Sequence, residues 1–445
     1  MSNRKEEYLT FLKELIALPS VSAKHEKLPE TAALLGQALE KLGGQVEIDD
    51  SYFAPLVIAH FNSNQADAKN LIIYNHYDVQ PAEPFNLWDQ DPWTLTEKDG
   101  HLIGRGVDDD KGNITARFTA LAEYLDENDG QLPVNITFLI EGSEETASQH
   151  LDDYLAKYPE LKADLIIWES GNKDEQGQIE LGGGNKGIVT FDVTAKTAGI
   201  DLHSSLATVV DSAAWRLSQG LATLFDPKTG RIQVPNFYED VIAPNQREKD
   251  LVAALPGTKE EFIKGHQITA PLLTDKRGDD WKEALYFEPS INIEGISSGY
   301  EDQGVKTVLP AEATAKLEAR LVPGMDPDKT LKQIQDYLID QGFADLTVTK
   351  TLGQPGYRSD MSDPEIKKVI DLAKDFYPGE PVVFPTSPGT GPMAYVNNAI
   401  KAPIISLGVG YQGALDHAPN ENIRLTDYED NIKFVKLIIG SYANH

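Results

Sequence analysis

The chain has 445 residues, of which 40% are apolar and 25% are charged, so it has enough apolar side chains for a folded core. Its 40 basic and 70 acidic residues give a net charge of −30, which argues against binding to nucleic acid or to an anionic membrane surface. It has no cysteine, which excludes disulfides, thiolate metal ligands and cysteine nucleophiles. The length predicts two domains, and the N-terminus lacks the apolar run of a signal peptide, so we expect a cytoplasmic protein.

The first part of the chain alternates between helix and strand patterns. Apolar residues at helical spacing predict helices at about 8–16, 31–42, 113–125 and 150–158. Short apolar runs bounded by polar residues predict buried strands at 71–75, 134–140 and 164–168. This alternation indicates an α/β domain with a mostly parallel sheet.

The pattern changes after about residue 185. Residues 187–196 and 313–321 alternate strictly between apolar and polar, which predicts strands with one solvated face. Further elements of this region are predicted helices at 211–224 and 327–341 and a predicted strand at 346–351. Their order suggests a ferredoxin-like α+β layer that carries a polar insert at about 227–282.

Near the C-terminus the α/β pattern returns. The predicted elements are helices at 364–377 and 428–442 and a strand at 402–407. We therefore expect one discontinuous α/β domain, formed by residues 1–185 and 354–445, that is interrupted by a second domain at 186–353.

Several side chains that can bind metal fall directly after predicted strands or before a predicted helix. They are, in chain order, His76, Asp78, Asp108, Asp109, Asp110, Glu144, Glu145, Glu169 and His417. Because the carboxyl ends of parallel strands meet at one edge of a sheet, we expect these side chains to lie close together. Carboxylates gathered in this way repel one another unless a cation holds them.

Histidine and carboxylate ligands without thiolate are typical of Zn²⁺, Mn²⁺ and related divalent ions. The excess of carboxylates fits two ions about 3.5–4 Å apart better than one, because one carboxylate can bridge both ions. A carboxylate that is not a ligand is then available as a general base. These residues therefore predict a two-metal hydrolase.

Each of these signals has a simpler structural explanation when it is taken alone. A His-x-Asp pair at a strand end is more often a surface or capping pair, and the acidic loop 108–110 can cap the helix that follows it. Two adjacent glutamates usually form a solvated charge run, and a single histidine such as His417 is more often structural. The joint arrangement on one edge is what favours a metal site.

With these residues in place, the sequence resembles the dinuclear zinc metallopeptidase family that includes carnosinases, cytosolic nonspecific dipeptidase, carboxypeptidase G and aminoacylase-1. The motifs HYDVQP, GRGVDDDKG, EGSEE and ARLVPG carry the resemblance, which is greatest to the carnosinase-like dipeptidases. It implies a discontinuous α/β metallopeptidase domain with an inserted ferredoxin-like α+β lid, through which the chain would form a homodimer. It also implies two divalent metal ions per subunit, with zinc preferred to manganese or cobalt.

The resemblance further implies roles for individual residues. The metal ligands would be His76, Asp109, Glu145, Glu169 and His417, with Asp109 bridging the ions through a loop whose Asp109–Asp110 peptide is cis in the family. The catalytic residues would be Asp78, which orients His76, Glu144 as general base, and His203, which polarises the scissile carbonyl. The substrate contacts would be Thr307, Arg320, Gly389 and Thr390. Residues 386–390 read Thr-Ser-Pro-Gly-Thr where carnosinase-like members usually carry Arg-Glu-Gly-Gly-Ser.

We therefore expect a homodimeric dipeptidase that acts on small peptides with a free carboxylate and has no nucleic-acid or membrane partner. A second hypothesis keeps the chemistry but makes the substrate an N-acyl amino acid, so that the enzyme is a deacylase or desuccinylase. A third hypothesis is a non-catalytic dimeric scaffold. It predicts that at least one ligand or the base is lost from the sequence, and all of them are present.

Overall fold

The computed structural model describes residues 4–174 and 176–443, which divide into two compact units. The first unit comprises the chain up to Gly184, together with Ser359–Pro385 and the segment from Tyr395 onward. The second unit comprises Asn185–Arg358 and Thr386–Ala394. Residues 354–358 and 386–394 belong to the first domain in the sequence prediction and to the second unit in the structure.

The second of these segments lies apart from the rest of its unit in the sequence. It clusters with the second unit because Ser387–Thr390 pairs in parallel with the first long strand of that unit.

Helices and strands alternate through most of the chain, which is a mixed α/β protein. The helices in chain order are α1 (Arg4–Ile16), α2 (Leu28–Lys41), α3 (Lys111–Glu127), α4 (Leu151–Leu155), α5 (Ala213–Thr223), α6 (Gln246–Ala254), α7 (Lys259–Gly265), α8 (Trp281–Phe287), α9 (Pro327–Asp340), α10 (Pro364–Phe376), α11 (Met393–Ile400) and α12 (Leu425–Gly440). None of the helices in the described part of the chain is long and apolar enough to cross a membrane.

The strands are shorter, and most of them belong to one of two large sheets. In chain order they are β1 (Gln45–Asp49), β2 (Leu56–Phe61), β3 (Asn70–His76), β4 (Thr96–Lys98), β5 (His101–Ile103), β6 (Asn135–Glu141), β7 (Leu165–Trp168), β8 (Glu180–Gly182), β9 (Gly184–Lys196), β10 (Leu202–His203), β11 (Phe225–Asp226), β12 (Arg231–Ile232), β13 (Ser290–Ser298), β14 (Val308–Leu309), β15 (Glu312–Leu321), β16 (Thr347–Gln354), β17 (Tyr357–Arg358), β18 (Val382–Phe384), β19 (Ser387–Thr390), β20 (Ile404–Ser406) and β21 (Asn422–Arg424).

The first unit is built around a sheet with the strand order β1-β2-β6-β3-β7-β20-β8-β18. Strands β6, β3, β7 and β20 run parallel, whereas β1 and β2 pair antiparallel at one edge. The parallel strands are apolar and almost completely buried, as strands covered on both faces are. They include the three strands that the sequence predicted in the first half of the chain.

The register of the parallel strands brings their carboxyl ends to one edge. His76 at the end of β3 lies opposite Glu141 at the end of β6, and β7 pairs in parallel with the other side of β3. The segments that follow β6 and β7 begin at this edge and carry Glu144 and Glu169. The edge is therefore where the predicted metal ligands of three strands converge.

Arg117 on α3 holds three of these strand ends together. Its guanidinium is fully buried and donates to the backbone carbonyls of Tyr74 at 2.7 Å, Trp168 at 2.6 Å and Leu407 at 2.9 Å. These carbonyls lie in or directly after β3, β7 and β20. One side chain thus satisfies acceptors that would otherwise be buried without a donor.

The second unit contains an antiparallel sheet with the order β13-β15-β9-β16. Helix α5 contacts β15 and helix α9 contacts β16, and the apolar side chains of these elements form a separate core. Along the chain the order is β9, α5, β13, β15, α9 and β16, a β-α-β-β-α-β order in which β13 is additional to the strands that the sequence predicted. Helices α6, α7 and α8 lie in the insert between α5 and β13.

Several elements differ from the sequence prediction. Helix α4 covers only Leu151–Leu155 of the predicted 150–158. Strands β1 and β13 were not predicted because they are largely exposed and lack a continuous apolar face. Helices α6 and α7 are polar and short, and their N-termini depend on capping boxes formed by Asn245 and Thr258. Apolar periodicity therefore does not reveal them.

We expect the substitution Arg117→Met to lower the free energy of unfolding of the metal-free protein by at least about 3 kcal/mol, because three buried carbonyls lose their donor. Chemical denaturation followed by circular dichroism measures this loss. The control is Lys332→Met on α9, whose side chain is 71% exposed and pairs with Asp336; we expect a change of less than about 1 kcal/mol there. Equal losses for the two variants would contradict the role given to Arg117.

Candidate metal centre

The carboxylate of Asp109 lies between two histidines. Its Oδ1 is 2.8 Å from Nε2 of His76, and its Oδ2 is 2.9 Å from Nε2 of His417. The Asp109–Asp110 peptide bond is cis, as the family resemblance implied. Because each oxygen of the Asp109 carboxylate faces a different imidazole, Asp109 can be a ligand in two neighbouring metal sites.

The ligand atoms around Asp109 form two groups, each of which could hold one metal ion. Within each group the ligand atoms lie within 4.8 Å of one another, and the groups are His76, Asp110 and Glu169, and Asp109, Glu145 and His417. Shorter contacts occur inside the groups: Nε2 of His417 is 3.2 Å from Oε2 of Glu145, and Nε2 of His76 is 3.7 Å from Oε2 of Glu169. The structure thus brings together all five residues for which the sequence implied metal binding, and adds Asp110.

Asp78 is fully buried and fixes the position of three of its neighbours. Its backbone carbonyl is the hydrogen-bond partner of Nδ1 of His76 at 3.1 Å, and its Oδ1 lies 3.3 Å from the same nitrogen, which does not face Asp109. Its two carboxylate oxygens also accept hydrogen bonds from the backbone N–H groups of Glu144 and Glu145, each at 3.1 Å. Asp78 thus lies behind the ring nitrogen of His76 that faces away from Asp109, the position from which a carbonyl or carboxylate oxygen orients a metal-binding imidazole.

Glu421 holds the acidic loop from the other side. Its buried carboxylate accepts hydrogen bonds from the backbone N–H groups of Gly106 at 2.8 Å, Asp108 at 2.9 Å and Asp109 at 3.1 Å. The same carboxylate pairs with Nη1 of Arg105 at 2.8 Å. Four donors on one carboxylate leave the loop backbone little freedom to move.

The loop is also tied to the first helix. Nζ of Lys111 is buried and donates to the carbonyls of Leu15 at 2.8 Å and Leu18 at 2.7 Å, at and just beyond the end of α1. Burial lowers the pKa of Lys111 to about 7. These bonds satisfy carbonyls at a helix C-terminus, which have no partner within the helix.

Two buried carboxylate oxygens of the first group lack a hydrogen-bond donor among residues 4–174 and 176–443. They are Oδ1 of Asp110 and Oε2 of Glu169. The other oxygen of Asp110 accepts from Nδ2 of Asn75 at 2.6 Å and from the backbone N–H of His76 at 3.1 Å. A buried carboxylate oxygen without a donor is costly, so these atoms fit a bound cation. Because the candidate ligand atoms are nitrogen and oxygen only, the two ligand groups fit Zn²⁺, Mn²⁺ or Co²⁺.

The pKa values of the cluster show how much negative charge it carries. Burial raises the pKa of Glu169 well above its usual value, although His76 opposes the shift. Burial alone would lower the pKa of His76, but the carboxylates of Glu169 and Asp109 outweigh it and raise that pKa well above its usual value. Hydrogen bonds to Asp109 and Glu145 raise the pKa of His417 to about 10. When no cation is bound, protons on these side chains offset part of the negative charge of the cluster.

Glu144 differs from the other carboxylates at this edge. It is half-buried, and in the described part of the chain no donor contacts its carboxylate, although its backbone N–H is bound to Asp78. Burial raises the pKa of Glu144 well above its usual value, and the neighbouring carboxylate of Glu145 acts in the same direction. A carboxylate in this state can accept and release a proton.

The sequence placed Asp110 among the side chains that can bind metal, although the family resemblance gave the ligand role in that loop to Asp109; Glu421 was not predicted as a site residue. A hydrogen bond from Nδ2 of Asn75 fixes the orientation of the Asp110 carboxylate. The two residues are 35 positions apart, and no sequence pattern predicts this contact. Glu421 lies four positions after His417, in the sequence Asp-His-Ala-Pro-Asn-Glu at 416–421, and this proximity is the signal that could have indicated it. Asp108 belongs to neither metal group; burial and the nearby carboxylate of Asp416 raise its pKa well above its usual value.

The remaining residues that the resemblance implied lie in the second unit. His203 is exposed at the end of β10, and the backbone N–H of the residue after it donates to the carbonyl of Thr307 at 3.1 Å. Nη1 of Arg320 on β15 donates to Oγ1 of Thr390 at 2.6 Å, and Gly389 directly precedes that threonine. The structure thus places Thr307 beside the residue that follows His203, and it places Arg320 in contact with Thr390.

Known proteins resemble this chain over most of its length. Beta-Ala-His dipeptidase from Mus musculus is 28% identical over 452 residues, which cover 95% of this chain and 90% of that protein. Cys-Gly metallodipeptidase dug1 from Schizosaccharomyces pombe is 27% identical over 356 residues, or 76% of this chain and 74% of that protein. The crystal structure of Sso-CP2, an M20 family metallo-carboxypeptidase from Sulfolobus solfataricus, has a TM-score of 0.89 and 34% identity, covering 98% of this chain and 99% of that chain. Residues 72–441 match the model of Peptidase family M20/M25/M40, and the chain therefore belongs to that family.

Proposed function

We propose that the chain is a metal-dependent dipeptidase that holds two divalent ions, zinc first among them, and hydrolyses small peptides with a free C-terminal carboxylate. The observation that carries the proposal is the carboxylate of Asp109, whose two oxygens face His76 and His417 at 2.8 Å and 2.9 Å. The names of the relatives, a Beta-Ala-His dipeptidase and a Cys-Gly metallodipeptidase, support a dipeptide as the substrate.

The residues that would hold the ions follow from the two ligand groups. His76, Asp110 and Glu169 would surround one ion, Glu145 and His417 would bind the other, and Asp109, which faces both histidines, would serve both. Divalent ions at these positions supply Lewis acidity, which lowers the pKa of water and stabilises negative charge on a carbonyl oxygen. Asp78 would keep the His76 ring in the orientation that presents Nε2 to the ion.

Glu144 would move the proton. Its carboxylate takes a proton from the attacking water, whose oxygen forms a bond to the carbonyl carbon of the peptide. The same proton is then given to the amide nitrogen as the carbon–nitrogen bond breaks, so that a free amine and a carboxylate leave. The freedom of this carboxylate from hydrogen-bond donors in the described residues supports this role.

The second unit would recognise the substrate. Arg320 and Thr390 would bind the free carboxylate, because a guanidinium offers two parallel donors that match it. His203 would donate a hydrogen bond to the scissile carbonyl oxygen, and Thr307 would contact the substrate beside it. The interruption of the first unit by this one, and its sheet order β13-β15-β9-β16, support its assignment as an inserted, ferredoxin-like lid that also forms a homodimer.

A second candidate function is that of a carboxypeptidase that accepts longer peptides. The observation that favours it is the 34% identity to Sso-CP2, which is described as a metallo-carboxypeptidase. The two activities share the free C-terminal carboxylate and differ at the N-terminus of the substrate, where a dipeptidase requires a free amine one residue before the scissile bond.

The substrate class can be tested directly. We expect the Zn²⁺-, Mn²⁺- or Co²⁺-loaded protein to hydrolyse β-Ala-His, Cys-Gly and Ala-Ala, and we expect a chelator to abolish the activity until metal is restored. Liberated amino acids are measured by chromatography. Faster hydrolysis of N-acetylated tripeptides would establish the carboxypeptidase, and faster hydrolysis of N-acetyl or N-succinyl amino acids would establish a deacylase. Full activity after complete removal of metal would contradict the two-metal proposal.

The roles of the adjacent glutamates can be separated. We expect Glu144→Gln to lower kcat by about two to four orders of magnitude, the usual contribution of a positioned proton carrier, while the metal content stays normal. We expect Glu145→Gln to reduce the bound metal, because Glu145 belongs to a ligand group with Asp109 and His417. Elemental analysis and steady-state kinetics on the same preparations give both quantities. The reverse pattern would mean that the two roles are exchanged.

The proposed dimer gives His203 a distinctive test. His203 lies in the second unit whereas the proposed metal ligands lie in the first, and we propose that it acts in the active site of the partner subunit. We expect His203→Ala and Glu144→Gln each to be nearly inactive as homodimers. A mixed dimer would pair intact His203 with intact Glu144 in one of its sites, while the other site carries both defects.

Refolding the two variants together should therefore recover up to about a quarter of the wild-type activity, since half of the dimers are mixed and each has one intact site. The control is each variant refolded alone, which should recover none. Mixed dimers that are confirmed by mass and remain inactive would show that His203 acts within its own subunit or not at all.

A further inference from the structure

Lys186 lies beside the pair formed by Arg320 and Thr390. It is the residue opposite Thr390 where β9 and β19 pair, and Thr390 accepts the 2.6 Å hydrogen bond from Nη1 of Arg320. On the other side of β9, Arg320 lies opposite Ile188, two positions after Lys186. Because side chains two positions apart share a face of a strand, Lys186 and Arg320 lie on the same face of the sheet.

The ammonium group of Lys186 is buried without a counter-ion. The residue is 5% exposed, and Nζ donates to the backbone carbonyl of Glu288 at 2.6 Å. Within residues 4–174 and 176–443, no carboxylate lies within 4.0 Å of Nζ. A buried charge is costly unless it is paired. Burial and the nearby charge of Arg320 lower the pKa of Lys186, to about 8, although Glu288 opposes them.

The carboxylates closest to this region already have basic partners. Oε2 of Glu318 is 3.1 Å from Nη2 of Arg320, so the charge of the guanidinium is offset in part within its own strand. The carboxylate of Glu288 lies 2.9 Å from Arg277 and 3.2 Å from Arg231, and the carboxylate of Asp279 lies 2.5 Å and 3.2 Å from the same two side chains. The local balance therefore leaves one positive charge, that of Lys186, which one carboxylate of a ligand would neutralise.

There is also space for such a ligand group. Lys186 lines a cavity of about 390 Å³ that extends to Ser290, and Ser290 is the residue opposite Arg320 where β13 and β15 pair. An ammonium has three donors, and the carbonyl of Glu288 uses only one of them. A ligand oxygen can thus approach Nζ from the same region of the sheet that carries Arg320.

From these observations we propose that Lys186 is a second basic residue of the carboxylate subsite and binds the C-terminal carboxylate of the substrate together with Arg320. The inference rests on the proposed dipeptidase function and adds to it the residue that supplies the net positive charge. Arg320 supplies the planar guanidinium that matches a carboxylate, but Glu318 offsets the positive charge of Arg320. Lys186 supplies the positive charge that has no carboxylate partner among the described residues of the subsite.

The test compares Ala-Ala with Ala-Ala amide, which lacks the C-terminal charge. We expect Lys186→Met to raise KM for Ala-Ala by about ten- to a hundredfold, the usual loss for a hydrogen bond to a charged group, with a smaller change in kcat. We expect KM for the amide to be high in the wild type and unchanged by the substitution. Lys186→Arg, which keeps the charge, should hold KM for Ala-Ala within about threefold of the wild-type value.

The control variant is Lys316→Met, which removes an exposed lysine from the same sheet and should leave both KM values unchanged. Circular dichroism and metal content establish that each variant is folded and loaded. If Lys186→Met raises KM for the acid and the amide by the same factor, or leaves both unchanged, the inference is wrong. A loss confined to peptides that end in Asp or Glu would also overturn it, because Lys186 would then bind a side-chain carboxylate.

These outcomes can be distinguished from failure of the proposed function. If the wild-type protein hydrolyses none of the dipeptides, both proposals fail together. If it hydrolyses Ala-Ala and the ratio of the two KM values is the same in wild type and in Lys186→Met, the dipeptidase remains and only the role of Lys186 is refuted. Should Lys186→Met fail to fold, Lys186→Gln provides the same comparison with a polar side chain in the buried position.

Discussion

Mutual repulsion among carboxylates is the constraint on which the first unit depends. Asp109, Asp110, Glu144, Glu145 and Glu169 meet at one edge of the sheet, and burial or charge raises the pKa of four of them. Asp109 is the exception, since two imidazoles hold its pKa below the usual value although burial opposes them. Such an edge is stable only with cations or protons bound to it, and the ligand geometry around Asp109 makes divalent ions the better fit.

The surrounding structure keeps this repulsion from spreading the ligands apart. Glu421 binds three backbone N–H groups of the acidic loop, and Asp78 binds two of the loop after β6. Arg117 ties the strand ends below the cluster, and the carboxylates of Asp110 and Glu169 oppose the lowering of its pKa that burial causes. The ligands are therefore positioned by backbone contacts that need no metal, which reduces the ordering cost when ions bind.

Much of this edge could be predicted from the sequence, because apolar runs mark buried strands and the residues after them must share one edge. His76, Glu145 and Glu169 are such residues, and their convergence needs no knowledge of loop conformation. The sequence placed Asp110 at the same edge but could not show that it joins His76 and Glu169, since its orientation is set by Asn75 through a contact between distant segments. Lys186 gave no signal either, because its lack of a counter-ion is a property of the folded sheet.

The net charge of the metal centre also distinguishes dipeptides from N-acyl amino acids as candidate substrates. The five carboxylates of the cluster exceed the charge of two divalent ions by one, and salt screens the rest of the acidic surface beyond about 8 Å. A zwitterionic dipeptide meets this arrangement with an amine that the residual negative charge attracts. Arg320 and Lys186 are the residues proposed to bind its carboxylate. An N-acyl amino acid has no such amine and carries a net negative charge, so the same electrostatics that require metal ions favour peptides with a free N-terminus over acylated amino acids.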